Sequence, residues 1–545
     1  MPKPPADVIL SNGRIHTLRD AEPKRSLCWA QNKILAVGAD DEMQPHRTWR
    51  TEVVDLKGAT VVPGFTDCHA HLEGLGRMLD DMNLIGVSSV EAIAQKVGER
   101  AARAVPGEWI SGRGWDDSNW PGRRAPVHAP LSALTQHNPV WLKRRDGHSG
   151  LANLRALELA GIRRETPDPD GGQIVRDASR EATGVLTDNA MLLVERKMPA
   201  ATISDYQRWF TLAQEQCLRL GLTGVHDAGI TATALEALKV MVREEMLQIR
   251  VYGMFYSSDP EQTARFAQRQ TPFVRLGRQG LLTLRAIKLY MDGSLGSHTA
   301  WMLKPYHDKA KGDDGQPYFG LNLLTPDRLI ELAQEAVLRG YQVCTHAIGD
   351  RAVRETLNAY ELILQELVEG DHRLRVEHSQ LVDPDDIPRF GKLNIIASVQ
   401  PSHAVADMKL VGDRFGPSGH PGAYPWRTLI DTGAKLALGS DFPFEKASPL
   451  WSFYCAITRQ DASGKPRGGW LPQMRLSRAE ALHGLTLGAA FASYQEEDLG
   501  AIAPGSLADL TILSNDILSV PEPEVLRTDV LATVVGGKFR HRSGV

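Results

Sequence analysis

The sequence predicts an α/β protein built around a (β/α)8 (TIM) barrel, and two observations lead to this prediction. First, eight apolar runs of strand length alternate with amphipathic helical patterns. After one run, for example, Val353, Leu357, Tyr360 and Leu364 recur at helical spacing and form one apolar face. Second, polar residues stand at the ends of several runs, as at the carboxyl ends of barrel strands. The runs span residues 60–67, 221–227, 248–256, 282–290, 342–346, 373–378, 394–399 and 435–439.

Both ends of the chain have β-strand patterns. Near the N-terminus, Asn12-Gly13 separates the short apolar runs 8–10 and 15–18, which predicts a hairpin. Near the C-terminus, the apolar runs 507–513 and 530–535 are followed by the turn pair Gly536-Gly537. We expect the two ends to pair into one small sheet domain.

A long interval separates the first barrel run from the second. Residues 73–220 are far more than one crossover helix needs, so we expect an inserted domain there. The interval has its own strand-like run, 139–144, and a loop rich in Gly, Pro and Asp at 167–172.

Composition limits the size class, the partners and the location. A chain of 545 residues is too long for one core and suggests two or three domains. The 62 basic and 66 acidic residues give a net charge of -4, which does not indicate a nucleic-acid partner. Five scattered cysteines, no visible signal peptide and no run of ~18 apolar residues favour the cytoplasm over a membrane. The sequence is compatible with a homo-oligomer but does not set the oligomeric state.

The first run ends in a His-x-His pair, His69 and His71. Residues two apart on a strand point to the same face, so both imidazoles can bind one divalent metal ion. Because the chain has 17 histidines, this pair alone is weak support for a metal site.

Later strand ends strengthen the metal interpretation. Lys288 lies near the end of the fourth run, His346 closes the fifth, His378 closes the sixth and Asp441 follows the eighth. A single polar residue at a strand end is commonly a helix cap or a loop anchor. A set of this composition at barrel strand ends instead predicts a catalytic metal centre.

The segments GRGWDDSNWP, IKLYMDGSLGSHTA, THAIGD, VEHSQ and GSDFP occur in one order along the chain. With the strand-end set, they make the chain resemble the amidohydrolase superfamily, in particular its YtcJ-like, N-substituted formamide deformylase-like branch (amidohydrolase family 3). The resemblance implies a barrel with a composite β-sandwich from both termini and an inserted α+β domain. We expect the sandwich at 1–61 and 495–545, the barrel at 62–72 and 221–494, and the insertion, over the barrel mouth, at 73–220.

The resemblance also implies a ligand set and zinc, commonly two ions. His69 and His71 would bind the more buried ion with Asp441, and His346 and His378 the second. Lys288 matches the family's carboxylated bridging lysine. A carbamate can bridge two cations, whereas an ammonium would repel them. The alternative for Lys288 is an ion pair with Asp292 or another carboxylate.

With these ligands, the resemblance implies a hydrolase of carbon–nitrogen bonds other than peptide bonds, with an N-substituted amide or formamide as the small-molecule substrate. Zinc lowers the pKa of bound water from ~15.7 to about 7, which gives hydroxide at neutral pH. Asp441 would act as general base and then as general acid. Other divalent metals suit the same ligands.

Further candidates would contact the substrate. Trp115, Asp146 and His148 lie in the insertion, in segments that match the branch. For Trp115 the alternative is a core aromatic, and for His148 a loop histidine with its own partner. His226, His298 and His403 follow other strands.

Three alternative functions fit the same sequence. One is a mononuclear deaminase, and another is a lactone or ester hydrolase, including a phosphotriester hydrolase, because a fold does not fix a substrate. A non-catalytic binding protein would be expected to lack one or more of the six ligand candidates, and all are present.

Overall fold

The computed structural model describes residues 3–121, 125–145, 148–169, 171–312, 315–366 and 370–545. Contacts divide the chain into two units, the first formed by Met1–Gly74 and Ala213–Val545 and the second by Leu75–Leu212.

The strands fall into three groups along the chain. The first group is β1 (Val8–Ser11), β2 (Arg14–Ile15), β3 (Ser26–Ala30), β4 (Lys33–Gly38), β5 (Glu52–Asp55), β6 (Thr60–Pro63) and β7 (Phe65–Ala70). The second is β8 (Met82–Asn83), β9 (Ile110–Trp115), β10 (Val140–Arg144), β11 (Ser149–Ala152), β12 (Gly172–Arg176) and β13 (Ala182–Asp188). The third is β14 (Leu222–Ile230), β15 (Arg250–Phe255), β16 (Phe273–Leu276), β17 (Leu282–Tyr290), β18 (Gln342–Ala347), β19 (Arg375–His378), β20 (Ile396–Val399), β21 (Lys435–Leu438), β22 (Leu510–Leu513), β23 (Val530–Val535) and β24 (Lys538–Arg542).

Helices follow most of the barrel strands. Those before β14 are α1 (Leu72–Asp80), α2 (Val90–Ala101), α3 (Ala129–Leu134), α4 (Leu154–Leu159), α5 (Met191–Glu195) and α6 (Ile203–Arg219). Those after it are α7 (Ala232–Arg243), α8 (Pro260–Arg269), α9 (Pro326–Leu338), α10 (Asp350–Glu366), α11 (Ile387–Lys392), α12 (Pro401–Ala406), α13 (Met408–Phe415), α14 (Trp426–Asp431), α15 (Pro449–Thr458), α16 (Arg478–Gly484), α17 (Leu487–Ala492) and α18 (Glu522–Val525).

Eight parallel strands form a nearly closed barrel sheet in the first unit, in the order β7, β14, β15, β17, β18, β19, β20, β21. A short strand, β16, pairs antiparallel with β17. At the carboxyl ends of the two outermost strands, β7 and β21, two hydrogen bonds join the end of β7 to the segment that follows β21. The Asp441 amide donates to His69 O over 2.8 Å, and the His71 amide donates to Phe442 O over 2.9 Å. The predicted α/β barrel is therefore present. Seven of its strands lie at the predicted positions.

The predicted first strand, 60–67, is wrong as a single element. The segment divides at Gly64 into β6 and β7, which belong to different sheets. A Cβ at Gly64 would approach the Thr223 hydroxyl to 2.2 Å, so this position needs glycine. The sequence pattern does not reveal this division, because β6 and β7 are both buried and their residues form one continuous apolar run.

Two smaller sheets accompany the barrel in the first unit. One has the order β4, β3, β1, β5, and the other has the order β2, β6, β22, β23, β24. In the second sheet β6 pairs antiparallel with β22, so strands from both chain ends are joined. Trp29 and Val61, from different sheets, belong to one hydrophobic cluster. The predicted limits of a composite sandwich stay a prediction.

The predicted N-terminal hairpin is also wrong. β1 pairs with β3 and β5, whereas β2 pairs with β6 in the other sheet. Asn12 has a left-handed backbone (φ 53°), and the Gly13 amide donates to Arg25 O over 2.9 Å. The Asn-Gly pair therefore carries the chain from one sheet to the other instead of closing a two-strand turn.

The second unit is a mixed α/β unit around one sheet of order β8, β9, β10, β11, β13, β12. Its core has two hydrophobic clusters, with Trp115 in one and Trp141 in the other. It lies within the predicted insertion, residues 73–220, whose limits stay a prediction.

None of the helices within the described ranges combines the length and the apolar character that crossing a bilayer would take.

Candidate metal centre

The carboxyl ends of the barrel strands bring the six predicted ligands to one cavity of about 430 Å³. Parallel strands end at the same edge of a sheet, so side chains distant in sequence meet there. The predicted residues that line the cavity are His69, His71, Lys288, His346, His378 and Asp441.

His69, His71 and Asp441 form the first candidate metal position. The Nε2 atoms of His71 and His69 lie 3.2 and 3.8 Å from Asp441 Oδ1. This oxygen is buried and has no hydrogen-bond partner within the described chain. Because buried carboxylate oxygens are normally satisfied, a cation among these three atoms fits the arrangement.

His346 and His378 lie beside this group, with ring centroids 4.4 Å apart. His346 Nε2 donates to Gly293 O over 3.0 Å, and His378 Nδ1 donates to Gln400 Oε1 over 2.9 Å. One ring nitrogen of each histidine is therefore a donor, which leaves the other with a lone pair for a metal ion.

Burial keeps these imidazoles neutral. Desolvation is the largest cause that lowers the pKa of His69 to about 4 and that of His346 to about 3, and nearby Lys288 adds to both shifts. Desolvation likewise holds the pKa of His378 well below its usual value. Neutral imidazole is the form that binds metal ions.

Lys288 is 1% exposed, and its Nζ lies 3.3 Å from His69 Nε2. Burial lowers the pKa of its amine. Within the described ranges it has no ion-pair partner. Asp292 instead accepts amide hydrogen bonds from Trp301, Ile348 and Gly349, so the alternative Lys288–Asp292 ion pair is not formed.

Two ligand residues have a left-handed backbone, Asp441 with φ 62° and His378 with φ 78°. Non-glycine residues seldom adopt this region, and they do so where the surrounding structure fixes them, often at functional sites. The Asp441 amide donates a hydrogen bond to His69 O. This bond fixes the position of Asp441, which follows the last barrel strand, relative to the histidine pair at the end of the first.

Two buried acidic residues support the histidine pair. Glu377 Oε2 accepts from His69 Nδ1 over 2.5 Å, and Glu377 also accepts from Arg375 Nε over 2.8 Å. Burial opposes the charge of Glu377, but Arg375 and then His69 outweigh it and hold the pKa of this carboxyl well below its usual value. Asp67 accepts from Ser440 and from the His69 amide. Both carboxylates fix the orientation of His69.

Sequence reasoning missed these supporting residues and gave too little weight to His403. Arg375 and Glu377 alternate with apolar residues in a strand that is buried throughout, and both are fully buried. Charged residues inside such a strand were the available signal, because they are buried only when paired. His403 lines the cavity, with Nε2 at 3.6 Å from Asp441 Oδ2.

Two of the less certain candidates lie in the first unit but do not line this cavity. His226 is 2% exposed, and its Nδ1 accepts from Arg375 Nη1 over 3.1 Å. His298 pairs through Nε2 with Asp308 over 3.1 Å, although its neighbours Ser294 to Gly296 reach the cavity.

The other candidates lie in the second unit. The Trp115 indole is buried in that unit's core and donates to Leu142 O over 2.8 Å, as its alternative interpretation expected. His148 is exposed and pairs with Asp188 over 3.0 Å. Asp146 lies outside the described residues. A substrate contact by any of them stays a prediction.

Comparison with known families agrees with this geometry. The model of the amidohydrolase family matches residues 52–541, nearly the whole chain. The chain belongs to the amidohydrolase family. This amidohydrolase therefore has the barrel of a metal-dependent hydrolase and candidate His/Asp metal positions.

Two relatives match nearly all of this amidohydrolase. The putative amidohydrolase YtcJ of Bacillus subtilis is 29% identical over 538 residues, 97% of this chain and 98% of the relative. The N-substituted formamide deformylase of Arthrobacter pascens is 27% identical over 550 residues, 98% of both chains. The predicted branch is confirmed.

A solved structure shares the fold of this amidohydrolase. It is an uncharacterised metal-dependent hydrolase from Pyrococcus furiosus, 29% identical, with a TM-score of 0.78. The match covers 94% of this chain and 100% of that protein.

Proposed function

We propose that this amidohydrolase hydrolyses a carbon–nitrogen bond other than a peptide bond, in an N-substituted amide or formamide. The observation that carries the proposal is the buried Oδ1 of Asp441, which has no hydrogen-bond partner among the described residues and faces His69 and His71 in the cavity. The relative with deformylase activity supports the choice of bond.

The residues present fit two divalent ions, with zinc the first choice for a set rich in imidazole. His69, His71 and Asp441 would hold one ion, and His346 and His378 the other. Lys288 would join them as a carbamate, since a buried amine with a lowered pKa and no ion pair can react with carbon dioxide. Such ions lower the pKa of water and polarise a substrate carbonyl.

Asp441 would move the proton. Its Oδ1 faces the histidine pair, whereas its Oδ2 faces His403. Burial opposes ionisation of this carboxyl, but His71, through its contact with Oδ1, and then the nearby His69 and His403 outweigh it and keep its pKa below the usual range. The carboxylate is thus ready to take a proton from the attacking water and to deliver it to the leaving nitrogen.

The cavity walls suit a small substrate with an apolar part. Leu295, Leu410 and Phe444 line it together with Tyr290, and Phe444 is 77% exposed. We retain from the sequence the expectation of a cytoplasmic location, and the sequence stays compatible with a homo-oligomer.

Hydrolysis of a panel of N-substituted amides, formamides, lactones, esters, phosphotriesters and amino-purines or -pyrimidines tests the proposal. We expect turnover of at least one amide or formamide by the zinc-loaded protein, and its loss after chelation. Asp441→Asn should lower kcat by about 10²- to 10⁴-fold, because it removes the general base.

Turnover limited to lactones, esters or phosphotriesters would contradict the choice of bond, and deamination with about one metal ion per chain would support the mononuclear deaminase instead. An Asp441→Asn variant with undiminished kcat would contradict the mechanism. Asp413→Asn, which changes an exposed carboxylate of α13 outside the cavity lining, is the matched control.

A further inference from the structure

His403 lies in α12, on the cavity wall and outside the predicted ligand set, although it forms with His378 and Asp441 a second group whose atoms are close enough to hold a cation. Its ring stacks on that of His378, with centroids 6.0 Å apart and an angle of 11° between the planes. Its side chain is 15% exposed. The ring is therefore held in one orientation, with an edge towards the cavity.

Gln380 sets which nitrogen of His403 carries the proton. The amide Nε2 of Gln380 donates to His403 Nδ1 over 3.0 Å. Gln380 is 4% exposed, and its backbone carbonyl accepts from the Tyr424 amide over 2.6 Å. With Nδ1 acting as the acceptor, the proton of the neutral ring is on Nε2.

The Nε2–H group of His403 is an available donor. Asp441 Oδ2 lies 3.6 Å away, which is beyond the range of a hydrogen bond. Among the described residues, no other acceptor takes this hydrogen. A protonated Nε2 cannot bind a metal ion, and it cannot accept the proton that Asp441 removes from water.

We propose that His403 is a catalytic residue that donates Nε2–H to the substrate carbonyl oxygen as this oxygen becomes negatively charged. In this step the water oxygen bonds to the carbonyl carbon, the carbonyl π electrons move to oxygen, and the water proton goes to Asp441. His403 keeps its proton throughout. The inference rests on the proposed function, because it needs an acyl substrate.

The position of His403 favours this role over a structural one. Its donor lies beside the carboxylate that receives the proton, so a carbonyl group attacked there is within reach of both. A fixed donor beside the reacting group stabilises an oxyanion without reorganisation, and loss of one such donor lowers kcat by about 10²- to 10³-fold.

Two substitutions separate the hydrogen-bond donor from the ring. His403→Phe keeps a ring that can stack on His378 but has no N–H group. His403→Gln loses the ring but places an amide N–H near the position of Nε2. His372→Phe is the control, since His372 precedes β19 and lies at the opposite end of that strand from His378. The zinc-loaded enzyme is assayed on the amide that the wild type hydrolyses best, and bound zinc is measured by mass spectrometry.

We expect His403→Phe to lower kcat by about 10²- to 10³-fold with KM nearly unchanged, and His403→Gln to recover about 10-fold or more. Bound zinc should stay at the wild-type value in both variants. The inference is overturned if His403→Phe retains wild-type kcat, if only KM changes, if Phe restores more activity than Gln, or if bound zinc decreases. A wild type inactive on every amide would overturn the proposed function and this inference together.

Discussion

The carboxylate of Asp67 accepts hydrogen bonds from both the amide and the hydroxyl of Ser440, at 3.0 and 2.6 Å. Asp67 precedes His69 on the first barrel strand, and Ser440 precedes Asp441 after the last. This one carboxylate therefore sets the spacing between two ligands from opposite ends of the barrel sheet.

We predict that Asp67→Asn weakens metal binding. An amide in this place presents N–H groups to the donors of Ser440 and offers fewer acceptor positions. Affinity should decrease about 10- to 100-fold, and the free energy of unfolding by about 1 to 3 kcal/mol. Chelator competition and chemical denaturation measure the two effects. Ser440→Ala, which removes only the hydroxyl, should show smaller changes, and equal or larger changes would contradict the role given to the carboxylate.

Glu377→Gln should also weaken metal binding, for a different reason. The carboxylate accepts from His69 Nδ1 and so keeps the proton of the ring on that nitrogen. The N–H group of an amide can instead donate to Nδ1, which would move the ring proton to Nε2. The substitution also leaves the buried Arg375 without its anion, so we expect a loss of about 3 to 5 kcal/mol in the free energy of unfolding.

The double variant Arg375→Met/Glu377→Gln separates the two effects. It should recover stability, because no buried charge is left unpaired, but not metal affinity. Recovery of both would show that Glu377 acts on the fold and not on His69.

Carboxylation of Lys288 predicts different effects for two substitutions. Lys288→Glu places a carboxylate in the site, whereas Lys288→Met preserves length without charge. We expect Lys288→Glu to retain more bound metal than Lys288→Met after dialysis. Native mass spectrometry of the wild type should show the added mass of one carbon dioxide. Equal metal content in both variants, together with a wild type of unmodified mass, would contradict carboxylation of Lys288.

Glu480 gives a pH-dependent contribution to stability. It accepts from Arg427 Nη1 and from the Ser477 amide and hydroxyl in a capping box at the start of α16. The Arg427 hydrogen bond is the largest cause that lowers its pKa from 4.5 to about 2. Because the folded-state pKa is lower than the unfolded one, the contribution is present above pH 4.5 and is lost as the pH decreases towards 2.

Glu480→Gln should therefore lower the free energy of unfolding by about 1 kcal/mol at pH 7. The difference in this free energy between the variant and the wild type should be smaller at pH 4. Urea denaturation at both pH values measures it. The exposed Glu497, changed to Gln, serves as the control. A difference that stays constant between pH 7 and pH 4 would contradict the prediction.

The sequence predicted that the six candidate ligands meet in one cavity because each stands where a strand ends. His346 and His378 close β18 and β19, and the strand pattern alone gives their position at the same edge of the sheet. The first strand was misplaced because β6 and β7 are both buried and read as one apolar run. The change of sheet occurs at Gly64, which packs closely against Thr223, a contact that no local pattern contains.

The supporting network could not be predicted in the same way. The contacts of Glu377 with His69 and of Asp67 with Ser440 join residues more than 300 positions apart. Likewise, the role of His403 depends on a tautomer set by Gln380, which needs three-dimensional coordinates. A motif indicates which side chains can bind a metal ion. The protonation and direction of each ring depend on its neighbours in space.

The pairing of β6 with β22 has a consequence for synthesis of the chain. The Phe65 amide and its acceptor, the Thr511 hydroxyl, are 446 residues apart. At about 5 to 20 residues per second, a ribosome needs roughly 20 to 90 s to make the partner of the first segment. During that time β6 lacks β22, its central neighbour, and has an unpaired edge that other nascent chains could bind. We therefore expect folding of this chain to benefit from protection of its first sixty-odd residues until translation is nearly complete.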